Sequence, residues 1–127
     1  MAAIDKIDRL YAKASEYCLS FPGTSERESH GSSAFFIDGK KAFVHFRNNH
    51  HGDGNIGIWC AAPPGVQQLL TAGNPDVYYV PAYVGHLGWV GVRLDRADGW
   101  EEIAAAIGDA YAARAPKKYL AQLADRV

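Results

Sequence analysis

Cysteine is scarce in this chain, neither sign of charge is in excess, and no apolar run is long; each shortage removes a class of function. Only Cys18 and Cys60 are present. With no Cys-x-x-Cys spacing there is neither a disulfide framework nor a thiolate zinc frame, and both cysteines sit amid apolar neighbours as buried free thiols. Thirteen Lys+Arg against fourteen Asp+Glu leave a formal charge of −1. A duplex-binding domain usually carries a basic excess because neutralised phosphates supply most of its affinity, so nucleic-acid binding here would have to rest on a local patch. No stretch approaches the roughly 18 apolar residues of a membrane-spanning helix, and the amphipathic N-terminus MAAIDKIDRLYAK lacks a signal-peptide core. A cytoplasmic protein with no membrane partner is expected.

What is present suits one α+β domain spanning residues 1–127, with hydrophobic residues at 48% and charged residues at 21%. Ile4, Ile7, Leu10, Tyr11, Ala14, Tyr17 and Cys18 recur at three- and four-residue steps, predicting an amphipathic helix that Pro22-Gly23 ends. A polar Ser/Glu/His-Gly segment follows. Ser33–Ile37 and Lys41–Arg47 are predicted strands joined at Asp38-Gly39, a hairpin signal because both central positions tolerate positive φ. Ile56–Cys60 is a third strand. Gly65–Ala72 reads as a short helix, Val77–Val80 as a short strand, Pro81–Leu87 as a loop and Gly88–Asp95 as a strand. Asp98 and Glu101 predict a capping box for a helix from Gly99 to about Arg114, and Ala115-Pro116 separates it from a last helix over Lys117–Ala124. This order favours an antiparallel sheet with helices packed on it.

Alternation sorts the strands into two faces. Phe35, Ile37, Ala42, Val44, Phe46, Ile56, Ile58, Cys60, Val90, Val92 and Leu94 form the expected core face. Phe36, Phe43, His45, Arg47, Gly57, Trp59, Trp89, Gly91 and Arg93 form the other, where aromatics mix with bases and the two glycines leave room for something to approach the backbone. Either this second face is a small core of its own under the C-terminal helices, or it binds. Arg27, His30, Lys40, Lys41, His45, Arg47 and Arg93 would then meet phosphates, and Trp59, Trp89 or Phe43 would stack on unpaired bases.

Leu19, Phe21-Pro22-Gly23, Glu26, His30-Gly31, Phe35, Gly39-Lys40, Phe43, Gly88-Trp89-Val90 and Ala115-Pro116-Lys117 occur together and in order over nearly the whole chain. With them the sequence resembles the YjbR-like (MmcQ/YjbR) family of small bacterial proteins. The resemblance implies a compact α+β fold whose hairpins make a double-wing shape, and a DNA-binding role that rests on that shape.

Other chemistry finds little support. His50, His51 and Asp53 invite a metal, but adjacent histidines on a Gly-flanked loop point apart, and a solvated loop is expected instead. His30 follows Glu26 at i+4 and His86 precedes a Gly-Trp strand, so either imidazole could act near neutral pH or simply hold a hydrogen bond. No Ser-His-Asp or Cys-His set, P-loop or dinucleotide fingerprint is present. The expectation is a non-enzymatic binding domain without metal or cofactor, its ligand DNA. The alternative is a small-molecule or protein site near Tyr78, Tyr79, Tyr83, His86 and Trp89.

Overall fold

A computed structural model describes residues 2–48, 52 and 54–125. Helix α1 (Ala2–Leu19) ends at the Phe-Pro-Gly turn, where the Tyr111 hydroxyl donates to the Pro22 carbonyl at 2.7 Å. Six strands follow: β1 (Thr24–Ser29), β2 (Ser32–Ile37), β3 (Lys41–Asn48), β4 (Ile56–Cys60), β5 (Tyr78–Tyr79) and β6 (Val90–Arg93). Helix α2 (Val66–Gly73) lies between β4 and β5, and α3 (Trp100–Arg114) and α4 (Lys117–Asp125) follow β6. The strands form one antiparallel sheet in the order β1-β2-β3-β4-β6-β5. The α+β class and the Asp38-Gly39 hairpin are as expected.

Four details differ from the sequence-based expectation. Thr24–Ser29, read as a polar segment, is a strand; it lies at the sheet edge with its four central residues exposed, where charged side chains discourage further pairing. It joins β2 through His30-Gly31, at φ 53° and 84°, the same doubly positive turn that Asp38-Gly39 makes at 54° and 67°. Next, β3 carries a bulge. Phe35 opposes Val44 while Phe36 opposes Ala42, leaving Phe43 as the extra residue. The expected faces of Ala42 and Phe43 therefore exchange, and Phe43, fully buried, meets Tyr111 of α3 edge-on at 5.6 Å. Gly88, Trp89, Leu94 and Asp95 lie outside β6, and Gly85–Leu87 is a 3-10 turn. Finally, Gly99 precedes α3 with no side-chain cap, and Glu102 rather than Glu101 reaches back, to the Asp98 N–H at 3.3 Å.

Helices α1 and α3 pack on the face bearing Phe35, Val44, Phe46, Ile58, Cys60, Val90 and Val92. Tyr11 of α1 packs on Phe46 at 4.8 Å between centroids, and its hydroxyl donates to the Gly57 carbonyl at 3.0 Å. Cys18 and Cys60 lie unpaired in this core, and burial pushes both thiols well above the range in which a thiolate forms. Among the described residues no helix is long and apolar enough to cross a membrane.

Candidate nucleic-acid interface

The register lays one continuous row across all six strands, Arg27–Ala34–His45–Trp59–Gly91–Tyr79, and beside it a shorter one, Arg47–Gly57–Arg93. Partners across a ladder point to the same side, so these residues share the face opposite α1 and α3. The only carboxylates in the six strands, Glu26 and Glu28, flank Arg27 and alternate to the other side. There Glu26 accepts hydrogen bonds from Ser15 of α1 at 3.4 Å and Ser33 at 2.7 Å. A chain with a formal charge of −1 thus carries a sheet face whose ionisable strand residues are all bases or phenols; Ala34, Arg47 and Trp59 on it are buried, and of its ionisable groups Arg27 alone is exposed.

Guanidinium groups lie over the aromatic rings of this face. Arg27 stands 3.6 Å from the Phe36 centroid, Arg93 4.7 Å from Tyr79, Arg47 5.1 Å from Trp59, and Arg114, at the end of α3, 6.0 Å from Trp89. Cation–π attraction holds such pairs most strongly when they are shielded from water. Arg114 was not among the sequence candidates, and only its position in the fold reveals it. Trp59 and Trp89 are 2% and 5% exposed and Phe43 is enclosed on the opposite side. None of the three offers a ring to an unpaired base, which corrects the stacking role expected of them.

The approach allowed by Gly57 and Gly91 is made by the chain itself. A Cβ on Gly91 would stand 2.4 Å from the Tyr79 ring, and one on Gly57 would stand 2.8 Å from its hydroxyl. That hydroxyl accepts from Trp59 Nε1 at 3.0 Å.

The basic candidates separate into three groups. Arg93 is consumed by structure: Nε donates to Asn55 Oδ1 at 2.6 Å and Nη1 to the carbonyls of Pro75 and Asp76 at 2.9 and 3.3 Å. Arg27, Lys40 and Lys41 gather at the tip of the β2–β3 hairpin, all exposed, with Arg27 Nη1 donating to the Gly39 carbonyl at 2.9 Å. The tip's carboxylate, Asp38, is engaged by the Tyr119 hydroxyl of α4 at 2.5 Å. At the other end of β2 stand exposed His30, half-buried His45 and buried Arg47. Burial, then the charges of Arg47 and His30, lower the His45 pKa to about 4, so its imidazole is neutral near pH 7. Arg47 Nη2 lies 3.3 Å from His45 Nδ1; a guanidinium can only donate, so Nδ1 accepts and the proton resides on Nε2.

The other candidates do not converge. Tyr78 and Tyr79 are neighbours in one strand and point to opposite faces, Tyr78 into the helix-covered core. Tyr83 and His86 are exposed, and Trp89 is enclosed. His50, His51 and Asp53 lie outside the described residues; among the described residues no group of three or more His, Cys, Asp or Glu side chains could hold a metal ion.

No curated protein and no solved structure matches this chain. A sequence model of the YjbR family matches residues 19–113, from the end of α1 through the whole sheet to the last turn of α3. The chain belongs to the YjbR family.

Proposed function

We propose that this protein is a non-enzymatic domain that binds the sugar–phosphate backbone of DNA on the sheet face opposite α1 and α3. The observation that carries this reading is the segregation of charge: Arg27 and Arg47 occupy that face, with the neutral imidazole of His45 between them, while Glu26 and Glu28 turn to the other. Lys40 and Lys41 extend the basic zone to the hairpin tip. From Ile37 to Ser32, β2 spans about 17 Å at roughly 3.4 Å per residue, about five phosphate-to-phosphate steps along the axis of a stacked strand. Backbone contacts position a strand without reading it, and the indole rings of this face, Trp59 and Trp89, are enclosed rather than offered to unpaired bases. The expected affinity is that of sequence-independent association, about 10⁻⁴–10⁻⁶ M at physiological salt, tightening as salt falls.

The test is a low-salt titration of single- and double-stranded DNA with the wild type and with Arg27→Glu. Both forms should bind the wild type with a salt-dependent affinity that the substitution weakens. No binding of either form at low salt overturns the reading.

A second reading has one observation in its favour. Leu69 on α2 and Val80, Tyr83 and Leu87 around the 3-10 turn are 58–75% exposed, and Gln67 ties these segments together by donating to the carbonyls of Gly85 and Trp89 at 2.8 and 2.6 Å. An exposed apolar surface on a braced frame suits a protein contact.

A further inference from the structure

Arg47 is the one charged side chain among the described residues that the fold encloses, at 6% exposure, and no carboxylate among the described residues pairs with it. Its contacts are long: Nη1 reaches the Ser29 and Phe46 carbonyls at 3.4 Å each and Nη2 reaches His45 at 3.3 Å, while Nε is buried with no partner. A buried guanidinium without a carboxylate carries a desolvation cost that neutral acceptors only partly offset, and desolvation lowers its pKa. A fixed cation with a buried donor unpaired among the described residues has the charge and the hydrogen-bonding capacity to hold an anion. The neighbouring groups suit one. His45 carries its proton on Nε2, and exposed His30 lies in the β1–β2 turn, next to Ser29, whose carbonyl accepts from Arg47.

We propose that Arg47 and His45 form a seat for a single phosphate, and that a phosphomonoester, the terminal phosphate of a nucleic-acid strand, occupies it. The inference rests on the backbone-binding reading for the strand to which that phosphate belongs, but not for the seat itself. A terminal group reaches an enclosed guanidinium that the diesters of a continuous strand pass over. Its second negative charge also complements a site where a guanidinium and an imidazole that carries its proton on Nε2 lie side by side.

The experiment follows backbone and imidazole NMR signals during titration with inorganic phosphate, against sodium chloride at matched ionic strength. The expected result is saturable phosphate-specific shifts at Ser29, His45 and Arg47. Arg47→Met should weaken phosphate binding at least tenfold while leaving the phosphate-free protein as stable or more so, because a well-packed apolar chain replaces an uncompensated charge. If that variant fails to fold, the wild-type titration decides through the His45 resonances. Identical responses to phosphate and chloride overturn the seat. In a second arm, an oligonucleotide with a 5′-phosphate or a 3′-phosphate is compared with the same strand lacking both. At least one phosphorylated end should bind about tenfold tighter to the wild type and equally to Arg47→Met; equal wild-type affinity for all three strands overturns the terminal-phosphate assignment. Phosphate binding without oligonucleotide binding would remove the backbone reading and leave the seat. Oligonucleotide binding with no phosphate response would do the reverse.

Discussion

The Tyr79 ring fills the space that a side chain on Gly91 would need. The two are cross-strand neighbours in the β5–β6 ladder, and a Cβ on Gly91 would lie 2.4–2.6 Å from the ring carbons. A rigid ring held by the Trp59 hydrogen bond cannot yield that distance without moving the two-residue strand that carries it. Gly91→Ala should therefore destabilise the protein by about 1–3 kcal/mol, as overpacking typically does. Denaturant unfolding measures it, and adding Tyr79→Ala to relieve the clash should recover part of the loss. An unchanged midpoint in Gly91→Ala would mean that the ring is free to swing away.

Enclosure of Trp89 likewise changes what its substitution should do. Trp89 sits between His45, 5.6 Å away between ring centroids, and the Arg114 guanidinium. Trp89→Ala should lower stability by about 3–5 kcal/mol, the usual cost of removing a large buried aromatic. Among the variant molecules that remain folded, binding to single-stranded and duplex DNA should change by the same factor. A selective loss for single strands would show that the ring leaves its site to stack.

The part of this fold that was legible came from local chemistry. Asp38-Gly39 announces a positive-φ turn, and the three- and four-residue spacing of Ile7, Leu10, Tyr11, Ala14 and Cys18 announces a buried helical stripe. Strand β1 was not legible, because TSERES contains no apolar residue; its pairing derives from a His-Gly turn, a weaker signal than Asn-Gly or Asp-Gly. Nor was the bulge, since nothing in KAFVHFRN marks Phe43 as the extra residue, and strict alternation puts that ring on the wrong face. At the candidate site, the sequence supplied the arginines but not their states. Arg93 is held by Asn55 and two backbone carbonyls, Arg27 is exposed, and Arg47 is enclosed without a carboxylate among the described residues, differences set by neighbours distant in sequence.

Acid should expose the role of His45. Its pKa falls from about 6.5 to about 4 because burial, Arg47 and His30 all oppose a charged imidazole. As pH drops below about 6.5 the unfolded chain takes up this proton before the folded one does. The stability that the neutral ring contributes is therefore complete above that pH and is lost progressively down to about 4. His45→Gln should flatten this part of the stability–pH curve relative to wild type, read as thermal midpoints across the window. Parallel curves for the two proteins would mean that the imidazole titrates normally.

The hairpin tip should govern the salt dependence of DNA binding. Each phosphate neutralised contributes a slope of about −0.9 to log K against log salt on duplex DNA, so Lys40→Glu with Lys41→Glu should make the slope shallower by roughly two such increments. The loss should be uniform across sequences, because these residues meet backbone rather than base edges. A slope unchanged in the double variant would take the tip out of the interface.

Tyr119 bears on the same tip from the opposite end of the chain. Its hydroxyl donates to Asp38, beside Lys40 and Lys41, and its ring occupies the space over Gly23, so α4 both braces the turn and engages the carboxylate nearest the lysines. Tyr119→Phe keeps the ring and removes the donor. Asp38 is then free to turn toward Lys40 and Lys41 and offset their charge. DNA affinity at low salt should fall by roughly two- to fivefold, the scale of an exposed ion pair, with little change in thermal midpoint. Adding Asp38→Asn to Tyr119→Phe should restore the affinity, because the competing charge is then gone. If the double variant binds as weakly as Tyr119→Phe alone, the hydroxyl acts by positioning the hairpin rather than by occupying the carboxylate.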